Sequence, residues 1–154
     1  MFRKLKINNK NMNKNDQTNT EITKTTQVLN DENLYLICKR YGEMTLKWRR
    51  KFAGLLPEVN RRRLFERKGF ISIFMFAEKL AGMSESQVRL AVNLEKRFEK
   101  TPMLKELLVA GKVSVNKLAR VVSIAKPENE EFLATQVQVL SKSAIETLVR
   151  DEKF

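Results

Sequence analysis

The chain has 154 residues, with 30 Lys and Arg against 18 Asp and Glu, no His and one Cys, for a net charge of +12 and an isoelectric point near 10.0. That length holds one domain with a substantial core, and the lack of histidine removes His-based triads and the commonest metal ligand, while the lone Cys38 excludes an internal disulfide and a zinc finger. No Gly-rich phosphate loop, membrane-length apolar run or secretory signal is visible, so the expectation is a soluble cytoplasmic protein without a cofactor, whose charge selects a polyanionic partner, nucleic acid ahead of an anionic membrane surface.

Residues 1–30 are rich in Asn, Lys and Thr and poor in large apolar side chains, which predicts a disordered basic arm. From Asn30, a candidate N-cap, residues Leu34, Ile37, Cys38, Tyr41, Trp48, Phe52 and Leu55 hold a 3.6-residue period through Gly42. The spacing predicts a helix whose apolar face packs into the core, with Tyr41 and Trp48 inside and Cys38 inert. The remainder of that helix is basic, with Lys47, Arg49, Arg50 and Lys51. Pro57 is expected in the first turn of a second helix carrying Arg61, Arg62, Arg63, Arg67 and Lys68, so that 31–68 forms a basic helical pair. From Lys39 to Lys68 there are eleven Lys and Arg against three Glu, two thirds of the net charge. Crowded guanidinium groups repel one another unless an anion meets them, and their forks suit phosphate oxygens. These residues are therefore assigned to the backbone of double-stranded DNA.

Gly69 ends that segment and Ser72 can cap the next helix. Phe74 to Phe98 then reads as two amphipathic helices joined by a Gly82-Met83-Ser84 turn, with Ile73, Phe76, Ala77 and Leu80 at helical spacing before it and Val88, Ala91, Leu94 and Phe98 after it. Gly82 supplies the left-handed conformation that ends the first helix, and Ser84 with Gln87 forms a capping box for the second. The solvent face of the second carries Ser86, Arg89, Asn93, Lys96 and Lys100. Short helix, sharp turn and polar basic helix make a helix-turn-helix-like pair. Ser84, Ser86, Arg89, Asn93 and Lys96 join the DNA-binding set, with Ser86, Arg89 and Asn93 as candidates for base edges. Glu78 stands four positions before the turn glycine, where a small residue is usual in this motif.

Farther along, Thr101-Pro102 reads as a cap and first-turn proline before Leu104, Leu107 and Leu108, with a stop at Gly111. Ser114 caps a helix in which Val115, Leu118, Ala119, Val122 and Ala125 face inward, widened by Val121 and Ile124 to a central position. Pro127 opens a helix with Phe132, Leu133, Val137 and Leu140, whose Glu128, Glu130 and Glu131 are read as partners of its own N-terminal dipole rather than metal ligands. Ser141 or Ser143 opens the last helix, and Ser143 with Glu146 repeats the capping-box spacing. Lys117 and Arg120 are expected to remain outside and to extend the basic surface. No stretch alternates with period two, so the fold is expected to be all-α, a compact bundle of seven or eight helices over residues 31–154.

The stretch from Gly69 to Asp151 resembles the helical region that precedes the nuclease module in many bacterial HNH endonucleases. The segments that carry the likeness are Gly69 to Phe74, Ser84 to Arg89, Leu107 to Leu118, Lys126 to Asn129 and Lys142 to Glu146, in that order. The resemblance implies a DNA-associated helical domain, 69–154, whose partner module holds the metal-binding histidines that this chain lacks. It would then be a targeting half without catalytic residues or metal: a fragment, a split gene product or a stand-alone binder.

The leading expectation is accordingly a non-catalytic DNA-binding helical domain. The alternative is a protein-interaction or dimerisation module that docks on a separate nuclease subunit, with RNA binding third, because no aromatic single-strand platform is present.

Overall fold

Asn30 begins the first helix by accepting the Asn33 N–H on its Oδ1 at 2.9 Å. The computed structural model describes residues 30–152, and the arm expected over residues 1–30 lies, Asn30 apart, outside them. The chain divides into two compact units, Met1–Glu43 and Met44–Phe154. Eight α-helices are present among the described residues: α1 (Asp31–Arg61), α2 (Leu64–Arg67), α3 (Ile73–Ala81), α4 (Glu85–Arg97), α5 (Pro102–Val109), α6 (Val115–Val121), α7 (Glu130–Val139) and α8 (Lys142–Asp151). A 3₁₀ turn, Pro127–Asn129, leads into α7. No strand occurs among the described residues, so the chain is all-helical as expected.

The described residues of the first unit, 30–43, belong almost wholly to α1, and Tyr41 and Cys38 are exposed there. In the second unit Trp48 and Leu55 are exposed as well. The core positions expected for Tyr41, Trp48 and Cys38 are thus corrected: the periodicity marks a real face of α1, but all three side chains are exposed among the described residues. Pro57 does not start a helix either; it lies inside α1. Its ring removes the hydrogen bond that residue 57 would donate to the Ala53 carbonyl, a loss of about 3 kcal/mol in an unsupported helix. Ala53, Gly54, Leu56 and Pro57 are all buried, and their packing carries the helix through the defect. The break comes after Arg61, where Arg63 adopts a left-handed backbone with φ 50°.

Two apolar clusters form the core of the second unit. The first joins Ala53 and Leu56 of α1, Phe65 of α2, Ile73, Phe76 and Ala77 of α3, and Val88 and Ala91 of α4. The second joins Leu94 of α4 and the following Phe98 to side chains of α5 through α8. One side of α4 therefore contributes to both, and α6, central to the second cluster with Leu118 and Val121 fully buried, reaches the first through Val115.

Local caps close most helix starts. Ser72 accepts from the Met75 N–H at 3.1 Å, Ser114 from Lys117 at 3.3 Å and Ser141 from Ala144 at 3.2 Å. Ser141, not Ser143, is thus the last cap, and Glu146 is drawn away from Ser143 to Arg120 at 2.6 Å. Thr101 makes no side-chain cap. In its place the buried Glu130 carboxylate accepts from the backbone N–H groups of Met103 and Leu104. Glu130 therefore serves the N-terminus of α5 across the core, where negative charge and acceptor oxygens are both favourable.

The backbone of α1 meets the α5–α6 connection at van der Waals distance. A Cβ on Gly54 would stand 2.4 Å from the Val109 carbonyl oxygen and 2.5 Å from that of Leu108, whereas one on Gly42 would meet nothing within 4 Å. Gly54→Ala should therefore lower stability by about 1–3 kcal/mol through overpacking. Gly42→Ala should raise it by about 0.5–1 kcal/mol through helix propensity. Chemical denaturation of both variants checks this; equal shifts in one direction would contradict the close approach at Gly54.

Candidate nucleic-acid interface

The turn between α3 and α4 has the local geometry its residues dictate. Gly82 ends α3 with φ 58°. Ser84 and Gln87 exchange both capping-box bonds, the Ser84 N–H donating to Gln87 Oε1 at 3.1 Å and the Gln87 N–H to Ser84 Oγ at 3.4 Å. From that start, Ser86, Arg89, Asn93, Lys96 and Lys100 all lie exposed, as the helical period requires.

Arg49 is fastened to this turn. Its Nη2 donates to the Gly82 carbonyl at 2.8 Å, a contact between residues 33 apart that the sequence pattern did not signal. Twelve residues later in α1, Arg61 Nη2 donates to the buried Glu95 of α4 at 3.0 Å. The two bridges set residues 49–61 of α1 beside α4, running in the same direction. Lys105 of α5 also reaches Glu95 Oε1, at 2.7 Å, so this carboxylate ties three helices together. A buried carboxylate with two cationic partners resists removal of any one of them. Neither Glu95 nor Lys105 stood out in the sequence.

Part of the arginine cluster is paired with carboxylates of its own segment. Glu58 accepts from both Arg61 and Arg62, and Arg63 pairs with Glu66. Arg67 donates to the Arg62 carbonyl at 2.9 Å. Those carboxylates relieve the crowding of Arg61, Arg62 and Arg63, while Arg67 and Lys68 have no carboxylate partner among the described residues. Arg62 and Arg61 hold the Glu58 carboxyl below its ordinary value of 4.5. Lys68 is exposed at the end of α2.

Arg89 is likewise occupied. Its Nε donates to Glu85, one turn earlier, at 2.8 Å, and its guanidinium carbon lies 4.7 Å from the centre of the Phe74 ring. Lys51 rests over the exposed Trp48 ring at 5.0 Å. Lys117 and Arg120 do not extend a free basic surface: the first donates to the Val137 carbonyl and the second to Glu146 and the Asn116 carbonyl. Arg50, Lys96 and Lys100 have no carboxylate partner among the described residues. The site residues thus fall into two groups by position, one from the end of α1 through α2 (Arg61, Arg62, Arg63, Arg67, Lys68), of which Arg61, Arg62 and Arg63 are paired with carboxylates, and one along α1, the α3–α4 turn and α4 (Arg49, Arg50, Lys51, Ser84, Ser86, Arg89, Asn93, Lys96), of which Arg89 is paired with Glu85.

Between α1, α4 and the start of α6 lies a cleft of about 180 Å³, lined by Arg49, Arg50, Gln87, Ser114 and Asn116 together with apolar side chains that include Leu46 and Leu90. None of its lining residues is acidic. Among the described residues no cluster of three or more Cys, Asp or Glu side chains has metal-binding geometry, and no helix is long and apolar enough to cross a membrane. Searches against family models, curated proteins and solved structures find no match to this chain.

The lowered Glu58 carboxyl fixes a pH dependence. A depressed folded-state value adds stability that is complete above 4.5 and fades as the pH falls through the folded value, because the unfolded chain takes up the proton more readily. Wild type should melt slightly above Glu58→Gln at pH 7, and the gap should narrow as the pH falls below 4.5. A gap that widened on acidification would contradict the pairing.

Proposed function

We propose that this chain is a non-catalytic helical domain that binds double-stranded DNA, the targeting part of an HNH-endonuclease-like protein. In this reading α3 and α4 act as a helix-turn-helix-like pair. The exposed Ser86, Asn93 and Lys96 of α4 approach a groove, and Arg49, Arg50, Lys51 and the group from Arg61 to Lys68 hold phosphates.

The observation that carries the proposal is the Arg49–Gly82 hydrogen bond. It pins a guanidinium-bearing helix to the turn from which the donor face of α4 starts, so phosphate-binding and base-reading groups keep a fixed spacing. Internal carboxylates do not oppose this role. Pairs as exposed as Arg62–Glu58 and Arg63–Glu66 contribute little to stability and can exchange a carboxylate for a phosphate, which suits a surface that binds reversibly. Arg89 would leave Glu85 in the same way to reach a base edge. The resemblance of Gly69 to Asp151 to the helical region of bacterial HNH endonucleases supports the same reading.

A second reading, an interaction module docking on a separate nuclease subunit, draws on Met44, Trp48 and Leu55, which lie exposed at helical spacing on α1. Size-exclusion chromatography separates the two: self-association without a shift on adding duplex favours the second.

Duplex affinity should fall steeply with salt. Replacing Arg61, Arg62 and Arg63 together by Ala should weaken binding to every sequence and reduce the salt slope by roughly one per lost phosphate contact. Arg63→Gly should weaken binding while relieving a left-handed backbone that costs about 1 kcal/mol, which separates affinity from folding. Arg89→Ala should instead relax sequence preference. Fluorescence anisotropy across a salt series checks all three, and equal affinity of wild type and the triple variant at low salt would contradict the assignment.

A further inference from the structure

The cleft between α1, α4 and α6 carries an inventory of unused donors. Arg49 spends one guanidinium N–H on the Gly82 carbonyl and keeps the rest. Arg50 is half-buried and has no hydrogen-bond or ion-pair partner among the described residues. Gln87 uses its Oε1 to accept from Ser84, which leaves its NH₂ group to donate. The side-chain amide of Asn116 has no partner among the described residues, its backbone carbonyl alone being engaged, by Arg120. The exposed Leu46 and half-buried Leu90 line the same space with apolar surface, and no carboxylate lines it.

Two guanidinium groups at the mouth select an anion, and their fork geometry favours phosphate oxygens. Apolar side chains flanked by amides select a flat body with its own hydrogen-bonding edge, because burying such a ring on a bare polar surface would gain nothing. At about 180 Å³ the cleft is far too small for a duplex.

We propose that this cleft binds a single nucleoside phosphate unit. Arg49 and Arg50 hold the phosphate, the nucleoside lies on Leu46 and Leu90, and the Gln87 and Asn116 amides meet its polar edge. The unit is either a free nucleotide or the phosphorylated end of a strand, since the two present the same chemistry. The site shares only Arg49 and Arg50 with the duplex surface proposed above and needs neither the α4 face nor a groove.

The test is an amide NMR titration of the full chain with deoxyadenosine monophosphate, deoxyadenosine, inorganic phosphate, and a tetranucleotide with and without a 5′-phosphate. The nucleotide should shift the signals of Arg50, Gln87 and Asn116 and saturate. Deoxyadenosine and phosphate should each bind at least about tenfold more weakly, since each lacks half of the contacts. Arg50→Ala should weaken nucleotide binding by a similar factor, and so should Leu46→Glu, which alters an exposed position and leaves the core intact; Lys142→Ala, at an exposed position outside both surfaces, should leave it unchanged. Tighter binding of the phosphorylated tetranucleotide than of the mononucleotide assigns the site to strand ends, and equal binding assigns it to free nucleotides. Shifts spread over all basic residues without saturation, phosphate binding as well as the nucleotide, or no effect of Leu46→Glu would overturn the proposal. Nucleotide binding that persists without duplex binding sinks only the duplex reading, and the converse sinks only the cleft.

Discussion

The second unit depends on α4 being buried in two cores at once. Val88 and Ala91 enter one apolar cluster while Leu94 and the adjoining Phe98 enter the other, and each large side chain so buried contributes about 1.5–3 kcal/mol relative to exposure. The polar bridges reinforce this placement at both ends: Gly82, just before α4, receives Arg49, and Glu95, near its end, receives Arg61 and Lys105. A helix held this way presents its remaining face rigidly. That face carries Ser86, Asn93, Lys96 and Lys100, so the same burial that builds the core fixes the geometry of the surface proposed to meet DNA.

Electrostatics divides the basic residues by what they already touch. Around the end of α1, Glu58, Glu66 and Glu95 accept from Arg61, Arg62 and Arg63, which offsets repulsion among those three guanidinium groups and leaves the rest of the segment's excess positive charge in place. Arg50 of α1, Lys96 in the last turn of α4 and Lys100 just beyond it differ, having no carboxylate partner among the described residues. Surface pairs of the first kind are weak and exchangeable, whereas open donors of the second kind have only water to give up. In the proposed DNA-binding reading, a duplex would engage these open donors first and the paired arginines by exchange.

What the sequence made legible was local. The caps at Asn30, Ser72, Ser84 and Ser114 were readable because a side-chain oxygen and an N–H two or three residues on decide them, and the all-helical class followed from the 3.6-residue period. Contacts between distant residues were not readable. Nothing in Thr101-Pro102 shows that Glu130 will cap α5, because that carboxylate arrives from 27 residues away. The stripe through Tyr41 and Trp48 gives the direction of a face without saying whether a neighbour covers it. Pro57 follows the same logic: its local signal is to start a helix, and burial of the turn around it overrides that signal. For the candidate site, the exposed face of α4 was visible in the residues, while the Arg49 anchor and the cleft with Gln87 and Asn116 exist only after α1, α4 and α6 have packed.

The most direct measurement of the central claim is a lysine-acylation footprint of the intact chain with and without duplex DNA. If α4 is the helix that faces nucleic acid, Lys96 and Lys100 should lose reactivity on adding duplex, while the exposed Lys126 and Lys142, at the starts of the 3₁₀ turn and α8, keep theirs. Protection of Lys126 and Lys142 with Lys96 and Lys100 still reactive, or no protection at all at low salt, would contradict the account.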